Sequence, residues 1–223
     1  NAVGLPLSVF SIDKNTGICV LEMGMNSKDE IRYLGNIARP QAGIITTVGP
    51  AHIGSFENIS SIAEAKAELM ETLVGEKFCM LNYDCRFYPF FREQAPAKVL
   101  SFGVKKGADI RGAFEKEEND SFTFHVQGSS YPYKINFWNT SIIYPALAAI
   151  GFGRKFEIPE KNIGEIFSKI HPLPGRGKVY HTGKITVIDE SYNSNPNSLK
   201  ASLSSFHRKN FKRKIAVTGD MAE

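Results

Sequence analysis

Two side chains in residues 48–70, VGPAHIGSFENISSIAEAKAELM, carry the chemistry of a reactive centre. One is His52, just past an apolar run; the other is Lys66, inside a helix-like pattern. On a wheel of about 100° per residue, Ile59, Ile62, Ala63, Leu69, Met70 and Leu73 form one stripe. Lys66 falls in the middle of that stripe, and Glu64, Glu68 and Glu71 lie on the far side. An ammonium on an apolar face loses hydration at a cost unless it is paired, neutralised or modified. The plain alternative is a lysine whose stem packs while its amine reaches water.

Other candidates stand at strand ends, where open α/β sheets place ligand sites. Glu22 closes the run ICVLEM, and Asn82 and Asp84 follow KFCMLN. After KITVID comes the stretch DESYNSNP, with Asp189, Glu190, Tyr192, Asn193 and Asn195 ahead of Pro196. Its plain reading is a turn in which Asn195 or Asn197 caps a helix. Arg176, within the Pro- and Gly-rich HPLPGRG, is either a phosphate contact or a solvated linker charge.

The elements that must position these groups follow from spacing. Residues 18–23 and 42–48 read as buried strands, because their apolar runs are nearly unbroken. Residues 77–82 and 98–102 read as two more. Helices are expected over 29–38, over 59–73 with a Ser61–Glu64 capping box, and over 141–152 and 159–170. Residues 1–10 read as a loop. SFTFHVQ alternates and precedes a Gly-Ser-Ser turn, which predicts a half-exposed antiparallel hairpin. This order predicts an α/β fold: a mostly parallel, ATPase-type central domain with a small antiparallel insert. HPLPGRG then reads as a hinge between residues 1–177 and 178–223. Beyond it, a strand at 184–189, a helix at 197–206 and a strand at 215–219 predict the start of a second, Rossmann-like α/β domain.

The chain has 223 residues, is 42% hydrophobic and 22% charged, and carries a formal charge of +4. That is ordinary for a soluble globular protein. The positive charge is dispersed apart from RKNFKRK and lacks interleaved aromatics, so no nucleic-acid partner is expected. Cys19, Cys79 and Cys85 show no CxxC spacing, which suggests neither a disulfide framework nor a zinc site and fits a cytoplasmic protein. No stretch reads as a signal peptide or a membrane span. The chain begins without methionine and stops just after a strand-like run, so a fragment is expected.

GLPLS, VLEMGMNSKDEI, ARPQAGIITTVGPAHIGSF, EAKAELM, LNYD, LPGRG, IDESYNSNP and TGDMAE occur in one order along the chain. In that order and across its whole length the chain resembles the Mur ligase family. SYN-x-NP with GDMAE points to the D-alanyl-D-alanine-adding branch rather than to sister ligases or folylpolyglutamate synthetase. The resemblance implies an ATP-dependent amide ligation in cytoplasmic peptidoglycan synthesis. UDP-MurNAc-tripeptide and D-Ala-D-Ala would be the substrates, ATP and Mg²⁺ the cofactors, and the protein a monomer. It implies that Glu22, His52 and Lys66 are metal ligands, with Lys66 carbamylated. It implies further that Arg176 meets ATP phosphates, that Glu190 meets the ribose, and that Asn82, Tyr192, Asn193 and Asn195 belong to the nucleotide side. Glu190 stands where the family often has aspartate. Two departures matter. The glycine-rich phosphate loop, which in the family lies shortly before the position of Asn1, is not in the chain. The family's His-Asn-x-x-Asn adenine motif aligns with SIIYPALAAIG. The 223 residues alone are therefore expected to be inactive. The alternatives are a ligase for another amine, or a non-catalytic relic that binds a nucleotide sugar or a partner protein.

Overall fold

Turn chemistry decides where the elements begin. The computed structural model describes residues 1–49, 56–95 and 98–221, in two compact units, Asn1–Ser101 and Phe102–Glu223. The first unit holds α1 (Gly4–Phe10), α2 (Glu30–Ala38), β1 (Ala42–Ile45), α3 (Ile59–Glu71), β2 (Phe78–Asn82) and α4 (Tyr88–Gln94). Strand β3 (Lys98–Gly103) runs over the boundary. The β1 and β2 strands pair in parallel, with Ala42 opposite Phe78 and Ile45 opposite Leu81. Parallel neighbours need a long crossover, and α3 lies within it. Asn58 starts α3 by accepting the N–H groups of Ser60 and Ser61 on its side chain. The expected Ser61–Glu64 box is thus corrected: Ser61 is already inside the first turn, and the asparagine three residues upstream satisfies the free donors. Ile31, Ile45, Ile62, Met70, Leu81 and Phe91 close one apolar core around these elements.

One acid departs from the wheel. Glu68, expected on the polar face, is only 2% exposed. Its Oε1 accepts the Asp29 N–H at 2.8 Å and its Oε2 accepts the Arg32 N–H at 3.1 Å. The carboxylate therefore closes the start of α2, where Asp29, the N-cap residue, makes no side-chain cap bond. Burial raises its pKa above the ordinary 4.5, more than the Arg32 N–H lowers it. The expected result is that Glu68→Ala costs about 2–3 kcal/mol in urea unfolding, since buried donors lose a charged acceptor. A folded-state pKa above the unfolded one stabilises below the unfolded value, and that contribution is lost as pH rises through the folded value. The penalty of Glu68→Ala should therefore be larger at pH 4 than at pH 7. An equal penalty at both would contradict this account.

The second unit starts from the end of β3, which pairs in parallel with β4 (Ile110–Glu117) through Phe102–Ile110 and Gly103–Arg111. Strand β4 pairs antiparallel with β5 (Phe122–Val126), with an irregularity at Phe114/Lys116, and β5 with β6 (Tyr133–Ile135). Inward residues alternate along β5, and Phe122, Phe124 and Tyr133 pack there ring against ring. A 3-10 turn (Thr140–Ile142) leads into α5 (Ile143–Lys155), then α6 (Glu160–Lys169). The expected α/β class, a mainly parallel sheet with a small antiparallel part, is the fold found.

Four local expectations are corrected. Residues 1–10 contain α1 instead of a loop alone. Residues 18–23 are not a strand: Ile18 and Val20 face solvent, and among the described residues nothing pairs with them. An apolar run becomes a strand only where a neighbour takes its backbone groups. Residues 215–219 are likewise unpaired among the described residues, with Val217 at 93% exposure. The strand at 184–189 is β8 (Ile185–Asp189), and its partner is an unexpected β7 (Lys178–Thr182). The two are antiparallel, with Lys178 opposite Asp189, so the strand that opens the expected βα step is the second arm of a hairpin. Helix α7 (Pro196–Arg208) follows, capped reciprocally by Asn195 and Ser198.

Among the described residues, no helix is long and apolar enough to cross a membrane. All three cysteines are free.

Candidate functional site

In the second unit, the loop at 171–177 and the end of β8 are stitched together by backbone bonds. The Gly177 N–H donates to the Asp189 carbonyl at 2.7 Å, and the Tyr192 N–H donates to the Gly175 carbonyl at 3.0 Å. The Asp189 carboxylate completes the clasp. Its Oδ2 accepts the Gly175 N–H, and its Oδ1 accepts the Ser191 hydroxyl and N–H. The Ser191 hydroxyl leads the contacts that hold the Asp189 pKa below its usual value. This clasp sets Arg176 and Glu190 on neighbouring loops. A cleft of about 230 Å³ opens there, and Arg176, Glu190, Tyr192 and Asn193 line it together with Ser141 and Ile142 at the entry to α5.

The side chains in the cleft are held in different ways. The Arg176 guanidinium is exposed and lies 3.9 Å from the centre of the Tyr192 ring. Glu190 Oε2 accepts the Ser202 hydroxyl at 3.0 Å. Gly177 has φ +88°, and a Cβ there would stand 2.9 Å from Trp138 Nε1 and 3.2 Å from Glu190 Oε1. Gly177→Ala should therefore lose about 1–3 kcal/mol, from left-handed backbone strain and from displaced neighbours. Chemical denaturation checks this; a loss below about 0.5 kcal/mol, the usual range for a neutral surface change, would refute it.

Asn195 does not line the cleft; its side chain accepts the Ser198 N–H as the cap of α7. Asn82 belongs to the first unit. It is buried, donates to the Thr46 carbonyl at 2.7 Å and accepts the Asp84 N–H at 2.9 Å, so it ties the ends of β1 and β2.

The first unit also holds the lysine read on the apolar stripe. Lys66 is half-buried on α3, between Ala65 and Ala67, both buried. Burial lowers its pKa, and only a weak opposing effect comes from nearby Cys85. Among the described residues no carboxylate pairs with it. The apolar stripe read on the wheel is thus the face α3 buries, with Lys66 on it. Glu22 is exposed, in the unpaired segment after residue 18. His52 lies outside the described residues. Among the described residues no three His, Cys, Asp or Glu side chains cluster as a metal site. The donor chemistry that fits a hard cation in this unit is the free carboxylate of Glu22, with Lys66 once its amine carries a carboxylate.

Two participants escaped the sequence reading. Trp138 is 2% exposed, and its indole N–H has no partner among the described residues. Its signal was its rarity, as the only tryptophan of the chain. Ser202 gave no signal, being one of several serines on an amphipathic helix.

Comparison with known proteins bears on the whole chain. Residues 1–153 match the Mur ligase middle domain. A UDP-N-acetylmuramoyl-tripeptide–D-alanyl-D-alanine ligase of Bacillus subtilis is 29% identical over 234 residues, covering 100% of this chain and 49% of the relative. The crystal structure of MurF from Acinetobacter baumannii superimposes with a TM-score of 0.85 at 25% identity, over 93% of this chain and 46% of that one. MurF ligase from Thermotoga maritima, solved in complex with ADP, shares the fold, with a TM-score of 0.78 at 23% identity and coverage of 92% and 48%. The chain spans about half the length of the relatives it matches.

Proposed function

The chain belongs to the Mur ligase family, and from that premise we propose that it is part of an ATP-dependent ligase that joins D-Ala-D-Ala to UDP-MurNAc-tripeptide. The supporting observation is the cleft in which Arg176, Glu190, Tyr192 and Asn193 converge, in a chain similar along its full length to D-alanyl-D-alanine-adding ligases. The work belongs to peptidoglycan synthesis in the cytoplasm, by a monomer. Residues 1–177 act as the central domain, and 178–223 begin the next.

The reaction needs a carboxylate turned into a mixed anhydride with phosphate as its leaving group. The peptide's terminal carboxylate attacks the γ-phosphorus of ATP, ADP departs, and an acyl phosphate forms. The dipeptide amine then attacks the acyl carbon, and phosphate leaves with the former carboxylate oxygen. Negative charge gathers on phosphoryl oxygens, so fixed cations are required. Arg176 supplies one, as a planar fork that suits phosphate. Glu190 accepts from ribose hydroxyls. Asn193 and Tyr192 form the wall that meets the nucleotide, Asn195 holds the start of α7, and Asn82 fixes the end of β2. In the first unit Glu22, His52 and Lys66 would hold Mg²⁺, with Lys66 as a carbamate. Magnesium there would neutralise phosphoryl charge. The depressed pKa of Lys66 favours the neutral amine, the form that adds CO₂.

The test uses the intact protein that contains this chain. With ATP, Mg²⁺ and both substrates, it should release phosphate in step with UDP-MurNAc-pentapeptide, seen by mass spectrometry. Omitting the dipeptide should stop product formation, and a single amino acid should not replace it. Ligation of a single amino acid instead would overturn the dipeptide reading, and no ligation at all would overturn the enzyme.

A further inference from the structure

Glu190 is one methylene longer than aspartate, and a longer carboxylate has more ways to point. The structure limits them. Oε2 is taken by the Ser202 hydroxyl at 3.0 Å. Ser202 is itself 8% exposed and accepts from Asn139 Nδ2 at 3.3 Å. Asn139 Oδ1 in turn accepts the Ser141 N–H at 3.0 Å and the Ser205 hydroxyl at 3.3 Å. One chain of hydrogen bonds thus runs from the entry of α5 through α7 to one oxygen of Glu190. The other oxygen, Oε1, has no donor among the described residues. Its neighbour across the bare Cα of Gly177 is the buried indole N–H of Trp138, which also has no partner. A carboxylate anchored through one oxygen and unspent at the other, on the wall of a cleft, is an acceptor waiting for a ligand donor.

We propose that Ser202, backed by Asn139, is the positioning residue that turns Glu190 Oε1 toward a ligand hydroxyl, so that the cleft discriminates a ribose diol from a sugar lacking it. This rests on the nucleotide reading of the cleft given above. It adds the residues by which this chain orients its longer acid. The Ser202 hydroxyl, though on the cleft wall, spends its proton on Glu190 and accepts from Asn139, so its removal should affect ligands with sugar hydroxyls and spare those without.

Trp138 makes the test direct. It is the sole tryptophan of the 223 residues and lines the cleft, so the part of the ligand-induced fluorescence change that disappears in Trp138→Phe reports binding there. The intact protein that contains this chain is titrated with ATP and with 2′,3′-dideoxy-ATP, and equilibrium dialysis measures the same affinities without the reporter. The unaltered chain should bind ATP more tightly than the dideoxy analogue. Ser202→Ala should weaken ATP about tenfold, the scale of one hydrogen bond to a charged group, and leave the dideoxy analogue within about twofold. Ser202→Thr, which restores a hydroxyl, should recover most of the loss. Equal weakening of both ligands by Ser202→Ala would make Ser202 a structural residue and overturn the proposal. So would an unchanged ATP affinity, or equal affinity of the unaltered chain for both ligands, while the cleft would still bind nucleotide. No binding of either ligand by either method would instead remove the nucleotide reading, and this proposal with it.

Discussion

If the proposed ligation holds, replacing Lys66 with alanine in the intact protein should cut product formation about a thousandfold, the scale on which a fixed charge-stabilising group acts. Short carboxylates such as acetate and propionate should restore part of the rate. The reason lies in the position of Lys66 on α3. Burial lowers its pKa, and no carboxylate among the described residues neutralises the ammonium. Addition of CO₂ to the neutral amine releases one proton and leaves an anion where a cation was disfavoured. Lys66→Arg should be as inactive as alanine, because guanidinium stays protonated and adds no CO₂. Lys66→Met separates chemistry from packing. It should raise the melting temperature, since an apolar group replaces a desolvated amine, and still give no activity. A carbon-13 carbamate resonance that appears with labelled bicarbonate and vanishes in Lys66→Ala would be the direct signature. Full activity in Lys66→Met would make the residue a packing element only.

The place of Lys66 on a buried face was legible in the sequence because a wheel contains the relevant physics, the period of a helix and the hydration cost of an ammonium; its carbamylation was implied only by the family resemblance. The same wheel misplaced Glu68. Its partners are the N–H groups of Asp29 and Arg32, almost forty residues away, and no periodicity on α3 announces that another helix begins there. Residues 18–23 fail for a related reason. Their composition is that of a buried strand, but pairing belongs to a neighbour and not to the run itself. The β7–β8 hairpin was nearer to hand. KVYHT and ITVID flank a turn with Gly183 at φ +55°, a glycine-bearing signal between two β-prone runs. The motif DESYNSNP located the end of β8, and its plain reading offered Asn195 or Asn197 as the cap of α7, of which Asn195 is the one found. It could not show that Asp189 works on the backbone of the loop at 171–177 while Glu190 faces the cleft. That division comes from the hairpin register, which puts Asp189 opposite Lys178, just beyond Gly177.

Arg176 carries the second large effect. Its guanidinium rests 3.9 Å above the Tyr192 ring, where it is exposed to solvent. A cation–π contact at such a site contributes about 0.5–1 kcal/mol. A charge-assisted hydrogen bond to phosphate contributes about 1.5–3 kcal/mol, and a bidentate one adds a second. The larger interaction wins, so the guanidinium should leave the ring when a triphosphate enters the cleft. Tyr192 then holds the unliganded arginine near its target at little energetic cost to binding. In the intact ligase Arg176→Ala should therefore lower kcat/KM for ATP about a hundredfold. Tyr192→Ala should change it by no more than about fivefold, the equivalent of the cation–π contact. Arg176→Lys should recover only part of the loss, because an ammonium keeps the charge without the planar fork. Steady-state kinetics with ATP varied at saturating peptide and dipeptide decides the matter. If Arg176→Ala stays within threefold of the unaltered enzyme, the arginine is a solvated hinge charge, and its stacking on Tyr192 is a surface contact with no part in phosphoryl transfer.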